Sequence, residues 1–461
     1  MSIHGTGADT LIGGAGNDTI IGGSGDVVQA GAGNDTLRAS IPAYSSNYNL
    51  ITFAGGEGRD TFESLGTNYY YVQVAFDSVE VLRGNGAFTV AQLNSFEEIQ
   101  VVSSIRLLDS GRVDLTNKVT SATNTRDSGA KYFILNGTNG PDELIKLDAK
   151  TQISLYGGNG NDTLITGVGN DYIDDNGGWV GQNNDSINSG DGNDTIYGQV
   201  DDDIIIAWGS EADGNDLAVG GGGNDYIEGG AGNDHLYGHE SGSPVWINGG
   251  AFFSDTLDGG AGQDVLYGSA GGDLLIGGSE AEGADKSDTI YGNDGNDTIF
   301  GGSGNDTVHA GVGDDLANGG LGADTIAGGD GNDSLNGQGL SDYLFGNAGD
   351  DYLNGGFGYD RLNGGTGADQ FYHLGNVNHG SDWIQDYTAA DGDVLVWGGG
   401  AAAESDFLVQ RANTASAGSA DVDEVFITHV PSGLLAWALV DGDAQTALNV
   451  RVGDATFDLL A

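Results

Sequence analysis

Between Gly292 and Tyr372 an apolar side chain returns every nine residues without a change of register: Ile299, Val308, Ala317, Ile326, Leu335, Leu344, Leu353, Leu362 and Phe371. Two places ahead of each stands an aspartate: Asp297, Asp306, Asp315, Asp324, Asp333, Asp342, Asp351, Asp360 and Asp369. The units read GNDGNDTIF, GGSGNDTVH, AGVGDDLAN, GGLGADTIA, GGDGNDSLN, GQGLSDYLF, GNAGDDYLN, GGFGYDRLN and GGTGADQFY. Such a unit predicts a six-residue turn, glycine-rich because positive φ is needed there, followed by a three-residue strand with one inward side chain. One unit alone can bury nothing. Stacked units can, because strands pairing at about 4.8 Å line up their inward residues into a narrow continuous core. The glycine load excludes helix here, since each interior glycine costs roughly 1 kcal/mol relative to alanine.

The same pattern opens the chain as HGTGADTLI and GGAGNDTII, shortens to GGSGDVVQ, and returns as AGAGNDTLR, with Asp9, Asp18 and Asp35 in the sixth place. The short unit, Gly22 to Gln29, puts Asp26 out of place. After Gly157 the units resume with Asp162, Asp171, Asp194, Asp225, Asp234, Asp264 and Asp273, broken around Asn176 to Asp185, Gly209 to Asp216, His239 to Ser254 and Ser279 to Ser287. Insertions of this kind map to loops while flanking repeats keep register. Two units, at Gly337-Gln338 and Gly346-Asn347, lack the second glycine.

Four segments follow: amino-terminal repeats 1–38, a stretch 39–156, the main repeat array 157–372, and a tail 373–461. The second holds nine of the fourteen basic residues, the cluster Tyr69, Tyr70 and Tyr71, and one repeat-like unit, GGEGRDTFE, with Asp60. Its apolar runs at Tyr71 to Val74, Val79 to Leu82, Ile99 to Val102 and Arg112 to Leu115 predict strands. It reads as a degenerate stretch of the same solenoid, with a separate β domain as the alternative. In the tail the period gives way to longer strands, Asp393 to Trp397, Glu424 to Val430, Leu434 to Val440 and Leu448 to Val452, placed to cap the repeats. The expected class is all-β: a parallel β-roll with a degenerate solenoid insert and a carboxy-terminal β cap.

Composition narrows the chemistry. The chain has 461 residues, 86 of them glycine, yet 38% are hydrophobic, so disorder is not the default. Sixty-eight acidic against fourteen basic residues give a formal charge of −54, which argues against nucleic acid or anionic lipid as partner and for cations. There is no cysteine, so oxygen ligands dominate and a hard cation is favoured. No charged-then-apolar leader follows Met1, and the most apolar run, Leu434 to Val440, is too short to span a bilayer, so no membrane insertion is expected.

With two repeats per coil, equivalent aspartates eighteen residues apart share an edge, Asp297 with Asp315 and Asp306 with Asp324. Such rows repel unless a cation lies between them. Calcium suits: it takes six to eight oxygens in flexible geometry, and the turns offer carbonyls beside the carboxylates, whereas magnesium demands stricter octahedral coordination. Asp9, Asp18, Asp35, Asp60 and the sixth-place aspartates from Asp162 to Asp369 are the candidate ligands.

The units resemble the GGxGxDxUx motif, with U a large apolar residue, of the RTX (repeats-in-toxin) family, over most of Met1 to Arg38 and Gly157 to Tyr372. The resemblance implies a parallel β-roll with calcium between successive turns, and bacterial type I secretion through an uncleaved carboxy-terminal signal. The ending DATFDLLA looks like such a signal, and SDWIQDYTAADGDVLVW, Ser381 to Trp397, resembles the segment after the last repeats of many RTX exoproteins. Folding is then expected to be coupled to calcium, loose in the cytosol and complete outside.

Other motifs weigh less. His235-Leu-Tyr-Gly-His239-Glu240 superficially resembles zinc-protease helices, but residues four apart do not share a face in a β-roll, and the HExxH order is absent. Neither phosphate-binding glycine motif, GxGxxG or GxxxxGK[ST], occurs. No catalytic constellation stands out, and no enzymatic role is expected. The leading expectation is a secreted calcium-dependent structural protein of surface-layer or biofilm-matrix type. Self-association is suggested by repeats beginning almost at Met1 without a cap. The alternative is an adhesin or binder of cell-surface polysaccharide using aromatics in or beside the interruptions, Trp179, Trp208, Trp246, Phe252 and Phe253. An enzyme within 39–156 is a third reading.

Overall fold

A β-branched or apolar residue flanked by threonine, tyrosine or asparagine favours an extended backbone, and the glycine turn that follows lets the chain reverse within a few residues. In the computed structural model this happens at nearly every unit. The structure describes residues 2–4, 8–40, 51–63, 74–100, 103–119, 122–125, 131–147, 152–175, 183–209, 214–239, 253–278, 286–376, 379–412, 422–440, 442 and 445–461. The chain divides into two compact units, Met1–Leu217 and Ala218–Ala461.

In the second unit alternate strands enter two parallel sheets. One takes Thr289–Asp294, Thr307–Val312, Thr325–Asp330, Tyr343–Ala348 and Arg361–Thr366. The other takes Thr298–Ser303, Leu316–Leu321, Ser334–Gly339, Tyr352–Asn354 and Gln370–His373. Thr307 pairs with Thr325, and Leu316 with Ser334, so each coil advances by the expected two repeats. Most of these strands are longer than the three residues expected, because the pairing runs on into the turn: Gly302 pairs with Gly320 and Ser303 with Leu321. The eighth-place residues from Ile299 to Phe371 are all fully buried. At roughly 1.5–3 kcal/mol for each fully buried large aliphatic or Phe side chain, this file supplies the apolar part of the stability.

The lost glycines do not open the turns. Gln338 and Asn347 adopt the glycine conformation themselves, at φ +72° and +76°, a strain of about 1–2 kcal/mol each. Beyond Tyr372 the tail closes the sheets in antiparallel fashion. Phe407–Ala412, Glu424–His429 and Leu434–Leu439 form a meander whose last strand pairs in parallel with Asp382–Ile384. Val394–Trp397 pairs with Asn449–Val452, which the terminal strand Ala455–Asp458 covers.

The first unit stacks in the same way, with irregular coil lengths. Thr10–Ala15, Val27–Ala32, Ile51–Glu57 and Val74–Asp77 form one parallel sheet. Ser2–His4, Thr19–Gly22, Thr36–Ala39, Thr61–Glu63, Val81–Arg83 and Glu98–Gln100 form another. Between 51 and 100 the core holds Phe53, Phe62, Phe88 and Phe96, with the half-buried Phe76 against them, and neighbouring rings lie 4.8–6.2 Å apart. Basic residues between 51 and 147 pair across rungs, Arg59 with Glu98 and Arg112 with Glu143. A short helix, Val90–Ser95, held by a capping box between Thr89 and Gln92, is an element the pattern did not announce. Tyr69 to Gln73 and most of the four interruptions, including Trp179, Trp246 and Phe252, lie outside the described residues.

Candidate metal centre

Each sixth-place aspartate ends a turn and begins a strand, so the parallel register that stacks the strands also stacks the carboxyl groups. In the second unit the backbone N–H of one aspartate donates to Oδ1 of the next, at 2.7–3.0 Å. One row runs Asp225, Asp255, Asp273, Asp297, Asp315, Asp333, Asp351, Asp369, Asp393. The other runs Asp234, Asp264, Asp288, Asp306, Asp324, Asp342, Asp360. Asp297 thus stands beside Asp315, and Asp306 beside Asp324.

The second oxygen is turned the other way. Oδ2 of Asp297, Asp315, Asp324, Asp333, Asp342, Asp351 and Asp360 is buried and accepts no hydrogen bond from the protein. In the turns of Asp297, Asp333, Asp342 and Asp351 it points at the first glycine of its own turn and at a carbonyl from the next coil, whereas the turn of Asp315 opens on Ala310. A methyl group on Gly328 would lie 2.1 Å from Asp333 Oδ2 and 2.9 Å from the Gly346 carbonyl oxygen. On Gly337 it would lie 2.2 Å from Asp342 Oδ2 and 2.6 Å from the Gly355 oxygen, and on Gly346 2.2 Å from Asp351 Oδ2 and 2.5 Å from the Gly364 oxygen. The absence of a side chain at that glycine therefore leaves a small cradle walled by a carboxylate and a carbonyl.

Burial holds these acids well above the usual carboxylate range. Asp315, Asp324 and Asp333 are pushed up to about 6, Asp297 and Asp351 to about 7, and Asp342 to about 8, with neighbouring carboxylates adding to the effect in all but Asp324. A buried acceptor-only oxygen with no donor costs on the order of 1–3 kcal/mol, more when charged. A repeated row of them, all oxygen and most beside a glycine whose place a methyl would fill, fits a hard cation taking several ligands.

In the first unit the rows are shorter. Asp18, Asp35, Asp60 and Glu80 form one, Asp142, Asp162, Asp185 and Asp203 a second, and Asp171, Asp194 and Asp216 a third. Asp162, Asp175 and Asp185 bring three buried carboxylates within 4.8 Å of one another. Burial, reinforced by the Asp175 charge, pushes Asp185 up to about 10. Asp9 is exposed, and its N–H donates to Asp26. Asp26 is not out of place, contrary to the nine-residue count. It is fully buried, and Val27 pairs with Thr10, so the short unit merely makes that coil seventeen residues long.

The structure therefore places every predicted aspartate in a row and adds members that the period missed: Asp26, Glu80, Asp142, Asp185, Asp203, Asp216, Asp255, Asp288 and Asp393. All share a signal shorter than the nonapeptide, an acid followed two residues later by a buried apolar side chain, as in Asp255-Thr-Leu257 and Asp288-Thr-Ile290. His235 sits on the strand His235–Tyr237, and His239 Nδ1 faces the Gly221 carbonyl, so the pair shares no helix face.

The stacked parallel coils and their rows of carboxylate and carbonyl oxygens define a calcium-binding β-roll protein. The family model for the RTX calcium-binding nonapeptide repeat, four copies to the model, matches residues 25–40, 156–179, 179–209, 212–240, 248–281, 282–317, 309–344 and 336–371. The chain belongs to the RTX family, and calcium is its cofactor at multiple sites. No curated protein matches it. When bound, calcium supplies the positive charge that the rows lack. The residues supply the rest: Oδ1 fixes the neighbouring rung by accepting from its backbone N–H, and Oδ2 with the turn carbonyls would hold the ion.

Proposed function

We propose that this chain is a secreted structural protein that folds outside the cell when it meets calcium and assembles into a surface layer or an extracellular biofilm matrix. The rows of stacked carboxylates carry this reading, because they make the scaffold itself depend on a cation rather than adding one to a finished fold. Extracellular calcium modules work at roughly 10⁻⁴ to 10⁻³ M, so the rows would fill outside the cell and stay repulsive within it. No described helix is long and apolar enough to cross a membrane.

The outer face of the second unit supports assembly. Leu321 and Phe357 lie two rungs apart on the same line of turns, paired through Gly339, and are about half exposed. Leu340 and Tyr359 are two-thirds exposed. Apolar side chains grouped on a surface in this way mark sites of association. Light scattering and electron microscopy with and without calcium test the proposal. Ordered assemblies that appear with calcium and dissolve in EGTA are expected, whereas a calcium-saturated chain that stays monomeric at high concentration would sink the assembly role.

A further inference from the structure

One acid at the end of the Asp324, Asp342, Asp360 row has different company. The strand Asp382–Ile384 pairs with Arg361–Thr366 so that Trp383 lies opposite Arg361, which sets Asp382 beside Asp360. Asp382 is fully buried; neither of its carboxylate oxygens makes a well-formed hydrogen bond, and the Asp360 backbone N–H and carboxyl group face it. Against it stand His379, 2% exposed and with no partner for Nδ1, and His373, fully buried. One ligand atom from each of the three lies within 4.8 Å of the other two, and the imidazole rings are 4.4 Å apart.

His379 and Gly380 are tightly held. Gly358 N–H donates to the His379 carbonyl at 2.8 Å, and Gly380, at φ +89°, packs so closely on the Gly358 oxygen that any side chain would collide with it. His373 Nδ1 accepts from Gly375 N–H at 2.9 Å, which leaves Nε2–H to face the Gly380 carbonyl at 3.0 Å. Trp397 stacks parallel to the His373 ring at 5.7 Å, and Trp437 meets it edge-on at the same distance. The cluster is thus buried and short of hydrogen bonds, with His379 Nδ1 unpartnered and the Asp382 oxygens without a well-formed bond. Groups buried in that condition cost several kcal/mol together unless something bridges them.

We propose that His373, His379 and Asp382 form a mixed nitrogen–oxygen centre for a borderline divalent cation of the zinc class, chemically distinct from the calcium rows. Two imidazoles and one carboxylate suit such an ion, whereas calcium prefers an all-oxygen shell. With metal–ligand bonds of 2.0–2.1 Å, tetrahedral ligand atoms lie about 3.4 Å apart, so the present spacing closes by small side-chain rotations. His373 exchanges one of its two hydrogen bonds for the ion, and three protein ligands leave one position for water. The inference does not rest on the calcium reading and stands or falls separately.

The test is zinc binding by the full chain held in 10 mM calcium, by equilibrium dialysis with metal analysis. One zinc ion per chain is expected to persist in that calcium excess. His379→Ala and Asp382→Asn should each weaken it by about tenfold or more, while His309→Ala, at an exposed histidine that stacks on Tyr291, should leave it unchanged. Cobalt added in place of zinc should give visible absorption of a four-coordinate nitrogen–oxygen site and quench Trp397 and Trp437 fluorescence. That measurement on the unaltered chain decides the matter if a variant fails to fold. Zinc retained equally by His379→Ala, zinc displaced by calcium, or cobalt without the absorption would overturn the proposal; displacement would assign Asp382 to the calcium row.

Discussion

Asp324→Asn separates a metal ligand from a hydrogen-bonding residue, because its effect should change sign with calcium. Asparagine keeps an Oδ1 acceptor for the Asp306 N–H, 2.8 Å away, and replaces only Oδ2, the oxygen that faces Gly319. In the metal-free fold the charge is a liability: burial pushes Asp324 up to about 6 from 3.8. Both folded and unfolded forms are ionised at pH 7.5, so the shift corresponds to a penalty of roughly 3 kcal/mol, or about 1–2 kcal/mol after allowing for solvent screening. Asparagine removes that penalty. With 10 mM calcium and a site of roughly 10⁻⁴ M, one bound ion adds about 2.7 kcal/mol, which asparagine forfeits. The variant should therefore be about 1–2 kcal/mol more stable than the parent without calcium and about 1 kcal/mol less stable with it. Urea unfolding followed by far-UV circular dichroism measures both, in EGTA with enough TMAO to populate the metal-free fold, and in 10 mM calcium. Destabilisation of equal size in both media would refute the reasoning and make Asp324 a structural acceptor only.

Gly328→Ala should place a methyl in the cradle between Asp333 Oδ2 and the Gly346 oxygen, lowering calcium stoichiometry by one and removing about 2–3 kcal/mol of calcium-dependent stability; unchanged stoichiometry by equilibrium dialysis would contradict the ligand set. Ile326→Ala, in the fully buried apolar file, should cost about 2–5 kcal/mol in urea unfolding both in calcium and in EGTA with TMAO, and a loss seen only with calcium would contradict its assignment to the core. In EGTA, the folded chain binds more protons than the unfolded one from near pH 4 up through about 6 for Asp315 and Asp333 and about 8 for Asp342. Metal-free stability should therefore fall as pH rises across that window, while calcium binding should strengthen and release protons. Thermal midpoints against pH, in calcium and in EGTA with enough TMAO to populate the metal-free fold, check this, and a metal-free fold that gains stability from pH 4 to 8 would be inconsistent with it.

The repeats made the architecture legible because one period governed turn, strand and core together. Ile299 through Phe371 were readable as the core, and their aspartates as two edges, from spacing alone. What spacing could not supply was register across an irregular turn. Asp26 joins its row although its unit is one residue short, since the strand beginning at Val27 pairs by its side chains and backbone, whatever the length of the preceding turn. Asp255 and Asp288 follow interruptions and still align for the same reason. The acid-x-apolar triplet was therefore the better signal, and it remained readable where the glycines were gone. Gln338 and Asn347 show a second limit: a neighbouring coil can hold a non-glycine residue at positive φ, so loss of glycine did not mean loss of the turn. Of the cluster of His373, His379 and Asp382, only the acid carries the acid-x-apolar triplet, Asp382-Trp-Ile384; the histidines were not readable, because the packing of the tail brings them to it rather than any repeat.

The central claim is that cation binding to the aspartate rows holds this fold together. Far-UV circular dichroism of the full chain at pH 7.5, in EGTA and then with calcium restored, tests it most directly. The account predicts little β signal in EGTA and its cooperative recovery as calcium passes roughly 10⁻⁴ to 10⁻³ M. An identical spectrum and an identical urea midpoint in the two conditions would contradict it.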